Sequence, residues 1–328
     1  MKPEYVLGID IGGTKIAVGL VDAKGRQVAG DRTPTQPDTP PEKTINRMLD
    51  LCRALIRRAG INKESVRAIG IAFAGPMDPL EGRIKNPPNL PGWHGLPLVS
   101  MVQENLGMPT YIENDANAAA LGEARFGAGV GVENMVYMTV STGVGGGAVL
   151  DGRLYRGETG SACELGHITL VHNGRECGCG AKGCLEAYAS GTALAKRAKE
   201  VVRSGERSVL ADLAGDVDNI TAKTVVQAMQ QGDELARRLW DETMEYLGAG
   251  VVSVVNIFNP RLVVLGGGLT NTGEILFIPV REAVKRLAMA PLAEVVDIVP
   301  AKLGDAVGVI GAAAVAFEKA PGATNVSK

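Results

Sequence analysis

The chain is poor in cysteine and histidine, nearly balanced in charge, and without a long apolar run. Five cysteines and three histidines stand among 328 residues. An odd, small set of thiols, mostly in one cluster, argues against a secreted disulfide scaffold and suits a reducing compartment with a metal. A formal net charge of −2 excludes a global electrostatic pull toward nucleic acid or an anionic membrane. No run approaches the roughly 18–20 apolar residues of a spanning helix; the segment from Leu247 to Phe258 is too short. The opening MKPEYVLGID enters a strand-like pattern with no apolar signal core, so the expected location is cytoplasmic. Also missing are a G-x-x-x-x-G-K-[ST] loop and a well-formed G-x-G-x-x-G fingerprint, which sets aside P-loop and dinucleotide-binding readings.

What is present is a soluble, globular composition, 45% hydrophobic and 21% charged, with length enough for two domains. Strands are expected at Tyr5–Ile11, Lys15–Val21, Gln27–Thr33 and Val66–Phe73. Apolar residues at Ile45, Met48, Leu49, Cys52, Leu55 and Ile56 recur in steps of three and four, predicting a helix over 41–59 with Cys52 in the core. Further helical patterns lie around 194–202, 224–229, 234–257 and 307–317, and a short buried strand covers 262–265. The strand–turn–strand at 135–151 echoes the one at 5–22, as an internal duplication would.

Two glycine-rich turns join these strand pairs, Gly12-Gly13-Thr14 and Ser141 to Gly147, and a third glycine cluster spans Gly266 to Gly268. Glycine lets backbone N–H groups approach an anion, and the hydroxyls of Thr14 and Thr142 add donors, so the turns form a candidate phosphate clamp. Asp10 beside the first turn could orient Mg²⁺ through water. Asp115 follows a strand and opens an alanine-rich helix. It is either an N-cap or a carboxylate presented at a strand's end, and both can hold. In a kinase for alcohols, such a carboxylate would accept the hydroxyl proton.

Cys177, Cys179 and Cys184 lie within eight residues, with His167 ten positions upstream. Cys3His is an accepted tetrahedral zinc set. Gly178 in the tight Cys-Gly-Cys turn is expected to take the backbone angles that point both sulfurs inward. The alternative is a glycine-rich loop of unrelated thiols. His172 is close enough to compete with His167; His94 reads as an incidental loop histidine, and Cys163 has no evident role.

Taken together, LGIDIGGTK at 7–15, ENDANAAALGE at 113–123, STGVGGG at 141–147, ELGH at 164–167, CGCGAKGCLE at 177–186 and LGGG at 265–268 resemble the ROK family (repressor, open reading frame, kinase). The likeness runs nearly end to end and is nearest to bacterial ATP-dependent glucokinases. It implies an α/β, actin-like (ribonuclease H-like, duplicated) two-domain sugar kinase fold with a central ligand cleft. The small domain would hold residues 1–115 completed by a C-terminal helix at 305–328, and the large domain 116–304 with the zinc site. Asp115 would be the general base on the 6-hydroxyl of a hexose, glucose foremost. Asn89, Asn114, Glu164, His167 and Glu186 would hydrogen-bond the other hydroxyls. Asp10, Gly12, Gly13, Thr14, Lys15, Thr142, Gly143, Gly266, Gly267 and Gly268 would hold nucleotide and phosphates. His167, Cys177, Cys179 and Cys184 would bind structural zinc, His167 facing the metal with one nitrogen and the sugar with the other.

Mg-ATP is the implied donor, with polyphosphate left open. Other hexoses and N-acetylhexosamines (N-acetylglucosamine, N-acetylmannosamine, fructose, mannose, allose) remain alternative acceptors, as does a non-catalytic sugar sensor. Family repressors carry a DNA-binding domain ahead of the first glycine turn. Here that turn starts within about a dozen residues, so a kinase without a nucleic-acid or membrane partner is expected, as a homodimer or homotetramer.

Overall fold

A computed structural model describes residues 4–87 and 89–320. The chain forms two compact units, one of Met1–Val132, Gly147–Ala162 and Lys302–Lys328, the other of Glu133–Gly146 and Cys163–Ala301. In chain order come β1 (Tyr5–Ile11), β2 (Lys15–Asp22), β3 (Gln27–Pro34), α1 (Pro41–Arg58), β4 (Val66–Phe73), β5 (Met77–Asp78), β6 (Arg83–Ile84), α2 (Leu98–Leu106), β7 (Thr110–Asn114) and α3 (Asp115–Phe126). Then follow β8 (Met135–Val140), β9 (Val144–Leu150), β10 (Arg153–Leu154), α4 (Glu186–Ala189), α5 (Gly191–Arg203), α6 (Leu210–Ala214), α7 (Ala222–Gln230) and α8 (Glu234–Phe258). The chain ends with β11 (Leu262–Gly266), α9 (Glu274–Leu287), α10 (Ala290–Ala293), β12 (Asp297–Pro300) and α11 (Val307–Lys319).

The first unit is built on a five-stranded sheet in the order β3-β2-β1-β4-β7. β2 runs antiparallel to β1 and β3, whereas β4 and β7 continue parallel to β1. β1 and β4 read as almost unbroken apolar runs because helices cover both faces. On one face Ile45, Met48, Leu49, Cys52 and Leu55 of α1 are buried against Leu7, Ile9 and Ile11, each such Leu or Ile contributing about 1.5–3 kcal/mol. On the other face α11 packs Val309, Ala313 and Ala316 against Val6, Val21 and Ala68. Its approach is close: a Cβ on Gly8 would lie 2.2 Å from the Val309 carbonyl oxygen, and one on Gly70 1.8 Å from that of Ala312. The far side of α11 meets α3 the same way, where a Cβ on Gly311 would lie 2.4 Å from the Ala118 carbonyl oxygen. The alanine and glycine content of both helices follows from this packing. It draws residues 116–132 into the first unit, beyond the boundary expected at 115. Residues 321–328 of the expected C-terminal segment lie outside the described residues.

The second sheet has the order β10-β9-β8-β11-β12, with β11 parallel to both β8 and β12. It repeats the first sheet strand for strand, three hairpin-linked neighbours followed by two added in parallel, which bears out the duplication read from the two glycine turns. Among the described residues no helix is long and apolar enough to cross a membrane.

Candidate active site

Register sets where the motifs of the first unit fall. Ile11 pairs with Phe73, and Phe73 with Asn114, so β1, β4 and β7 end in one row. The Gly12–Thr14 turn and Asp115 therefore emerge from the same carboxyl end of the parallel strands, the customary ligand edge of such sheets. The first turn is closed by Gly12 N–H donating to the Lys15 carbonyl at 3.0 Å and is braced by Thr35 Oγ1 donating to the Gly12 carbonyl at 2.7 Å. Asn89 lies over it, 3.1 Å from where a Cβ on Gly13 would be. Asp10 is held against Gly308 in the first turn of α11, where a Cβ would come within 2.4 Å of its carboxyl. Burial pushes the Asp10 carboxyl above the usual carboxylate range, with Lys15 acting against it.

At Asp115 one reading is corrected. The N-cap of α3 is Asn114, whose Oδ1 accepts the N–H groups of Ala116 at 2.9 Å and Asn117 at 3.1 Å. Asp115 is the first helical residue and half-buried.

In the second unit three motifs meet around Val144. Its N–H donates to Glu186 Oε2 at 2.8 Å, and a Cβ on Gly166 would lie 2.0 Å from its carbonyl oxygen. The adjoining Ser141 carbonyl accepts Gly191 N–H at 2.7 Å, at the start of α5. Gly143 leaves room for Glu186, whose Oε2 would be 2.5 Å from a Cβ there. Gly266, Gly267 and Gly268 close on the same turn: Gly267 takes a φ of 91° beside the Val140 carbonyl, and Gly268 faces Ser141 Oγ.

The metal ligands expected from spacing come together. One ligand atom from each of His167, Cys177, Cys179 and Cys184 lies within 4.8 Å of the others. His172 is exposed and outside this group. A tetrahedral zinc with Zn–S of about 2.3 Å and Zn–N of about 2.0–2.1 Å has S···S edges of ~3.8 Å and S···N edges of ~3.6 Å. Cys179 and Cys184 sulfurs are 3.8 Å apart, and Cys177 Sγ is 3.6 Å from His167 Nδ1. The donor set fits zinc. His167 Nε2 points away, 4.0 Å from Glu164 Oε2. Burial pushes the Cys177 thiol up to about 12 and raises Cys184 as well, whereas the Ala181 N–H lowers Cys179; a bound cation would offset that burial.

The loop geometry corrects the role expected of Gly178, where an added Cβ would meet nothing within 4 Å and φ is not positive. The glycines the loop requires are Gly180, with φ 91°, and Gly183, with φ 84° and the Val171 carbonyl 1.8 Å from a would-be Cβ.

Beside the second turn opens a cavity of about 980 Å³ lined by Ser141, Thr142 and Gly268 on one side and by α5 and α7 on the other. Thr192, Lys196, Lys199 and Arg203 form its polar wall. The residue spacings are four, three and four, one stripe of a helix. In sequence the same stripe reads as a solvated face, which is why these residues escape motif analysis.

The family described as ROK matches residues 6–319. A glucokinase of Thermotoga maritima is 36% identical over 97% of this chain and 98% of its own length. A Streptomyces coelicolor glucokinase is 38% identical over 96% and 98% respectively. The crystal structure of a ROK family glucokinase from Streptomyces griseus in complex with glucose and AMPPNP superposes with a TM-score of 0.80 at 36% identity, covering 96% of this chain and 99% of that one.

Proposed function

The chain belongs to the ROK family, and we propose that it is an ATP-dependent hexose kinase that phosphorylates glucose at its 6-hydroxyl. The observation that carries this reading is Asp115, opening α3 at the same sheet edge as the Gly12–Thr14 turn. Asp115 would take the proton of the 6-hydroxyl as that oxygen attacks the γ-phosphorus of ATP and ADP leaves.

Asn89, Asn114, Glu164, His167 and Glu186 are the proposed sugar contacts. Local hydrogen bonding narrows what each can offer. Asn114 Oδ1 is committed to the helix cap, so its amide NH₂ is the group left for a sugar oxygen. Glu186 Oε2 is committed to Val144, so Oε1, which lies 3.8 Å from Cys177 Sγ, is the oxygen proposed to accept a hydroxyl. For the donor, Gly12, Gly13, Thr14 and Lys15, with Thr142, Gly143 and Gly266 to Gly268, would hold phosphates, and the cavity beside α5 would take the base and ribose. Asp10 would meet the Mg²⁺ of Mg-ATP through water.

Zinc on His167, Cys177, Cys179 and Cys184 would supply a fixed cation that sets the tautomer and ring angle of His167. The residues themselves do the sugar recognition. A cytoplasmic homodimer or homotetramer completes the proposal; Ile278, Leu287 and Met289 on and after α9 are large apolar side chains left exposed on this chain.

ADP release from Mg-ATP across a panel of hexoses and N-acetylhexosamines tests the assignment. Turnover highest with glucose is expected. Turnover confined to another sugar would change the substrate, and none with any sugar would overturn the kinase.

A further inference from the structure

Behind Asp115 lies a buried charge network that no motif announces. Glu113, in β7, is 0% exposed. Its Oε2 accepts Arg156 Nε–H at 2.7 Å. Its Oε1 accepts the backbone N–H of Asn114 at 3.2 Å and the side-chain amide of Asn117 at 3.3 Å. Arg156, in the loop after β10, donates its Nη2 to Glu318 Oε1 at 2.9 Å, and Glu318 Oε2 takes Arg125 Nη2 at 3.3 Å. Three distant segments of the first unit are thus tied to the turn that presents Asp115.

A buried carboxylate is costly unless paired, and an apolar residue in β7 would fill the strand without that cost. What the carboxylate adds is direction: two of its three partners belong to the Asn114–Asn117 turn. Arg156 in turn fixes the carboxylate. Burial alone would lower the Arg156 pKa, but Glu113 and Glu318 more than offset it, and the guanidinium stays charged.

We propose that Arg156 is a positioning residue for phosphoryl transfer, acting on Asp115 through Glu113. It touches neither substrate. Its effect is to hold the Asn114–Asp115 backbone so that the Asp115 carboxylate meets the acceptor hydroxyl. This rests on Asp115 being the base, so Asp115→Asn is measured in parallel.

The test compares kcat, KM and directly measured glucose affinity for wild type, Arg156→Lys, Arg156→Met and the double variant Glu113→Leu/Arg156→Met, which removes both charges of the buried pair together. Misplacing a reacting group by about 1 Å can cost up to ~100-fold in rate. Arg156→Met is expected to lose about 10- to 100-fold in kcat with glucose affinity changed less than about threefold, and Arg156→Lys to recover part of it. If Arg156→Met does not fold, the double variant decides in its place by the same loss of kcat. Wild-type kcat in folded Arg156→Met or in the double variant would overturn the proposal, leaving the network a purely structural one. Full activity in Asp115→Asn would instead remove the reading of Asp115 itself.

Discussion

Glu186 Oε2 accepts the backbone N–H of Val144 at 2.8 Å, so a side chain on the metal loop's exit holds the glycine turn between β8 and β9. The room for that contact comes from Gly143, where a Cβ would stand 2.5 Å from the same oxygen. Gly143→Ala is therefore expected to displace the carboxylate and release the turn. A hydrogen bond to a charged group is worth about 1.5–3 kcal/mol, so KM for ATP and for glucose should each rise by roughly tenfold. Steady-state kinetics with each substrate varied in turn would show it. Unchanged values for both would mean that neither substrate depends on this contact.

Zinc is the second point of test. The 3.6 Å and 3.8 Å separations among His167, Cys177, Cys179 and Cys184 predict about one zinc per chain by elemental analysis. Cys179→Ser should lose the metal, lower the melting temperature and raise KM for glucose, because His167 would lose its anchor. Wild-type protein purified without chelators and free of zinc would count against the site.

Acid stability offers a prediction independent of catalysis. Asp233 caps α8 by accepting Ala236 N–H at 2.8 Å, and its other oxygen accepts Ser208 Oγ at 2.9 Å and Val209 N–H at 2.8 Å. Burial alone would raise its pKa, but these donors hold it below the usual aspartate value. A lowered folded-state pKa gives stability that is present above the unfolded value of about 3.9 and lost as pH falls through the folded one. Asp233→Ala should cost about 1–2 kcal/mol at pH 7. The gap between variant and wild type should narrow below about pH 4 in denaturant unfolding. A gap that stays constant down to the lowest pH measured would show that the carboxylate's charge plays no part.

Much of this architecture is legible in sequence where periodicity and local chemistry coincide. β4 spans Val66–Phe73 as expected, and α8 ends one residue past the pattern's end, at Phe258. Both are long, strongly apolar and flanked by clear stop signals. α9 is harder to read because Pro279 lies inside it and a proline reads as a helix breaker. The metal ligands are visible through spacing, but the glycines that shape their loop are not. Positive φ and close approach are set by the chain folding back on Val171, so Gly178 draws attention that belongs to Gly180 and Gly183. Arg156 and Glu113 lie 43 positions apart, and no local pattern links them.

Asp115→Asn tests the central claim most directly, with turnover and glucose binding measured on the same preparation. A general base contributes roughly 10²–10⁴-fold, so kcat should fall by about that factor while the glucose dissociation constant stays within about threefold. Turnover at the wild-type rate in the folded, glucose-binding variant would contradict the account.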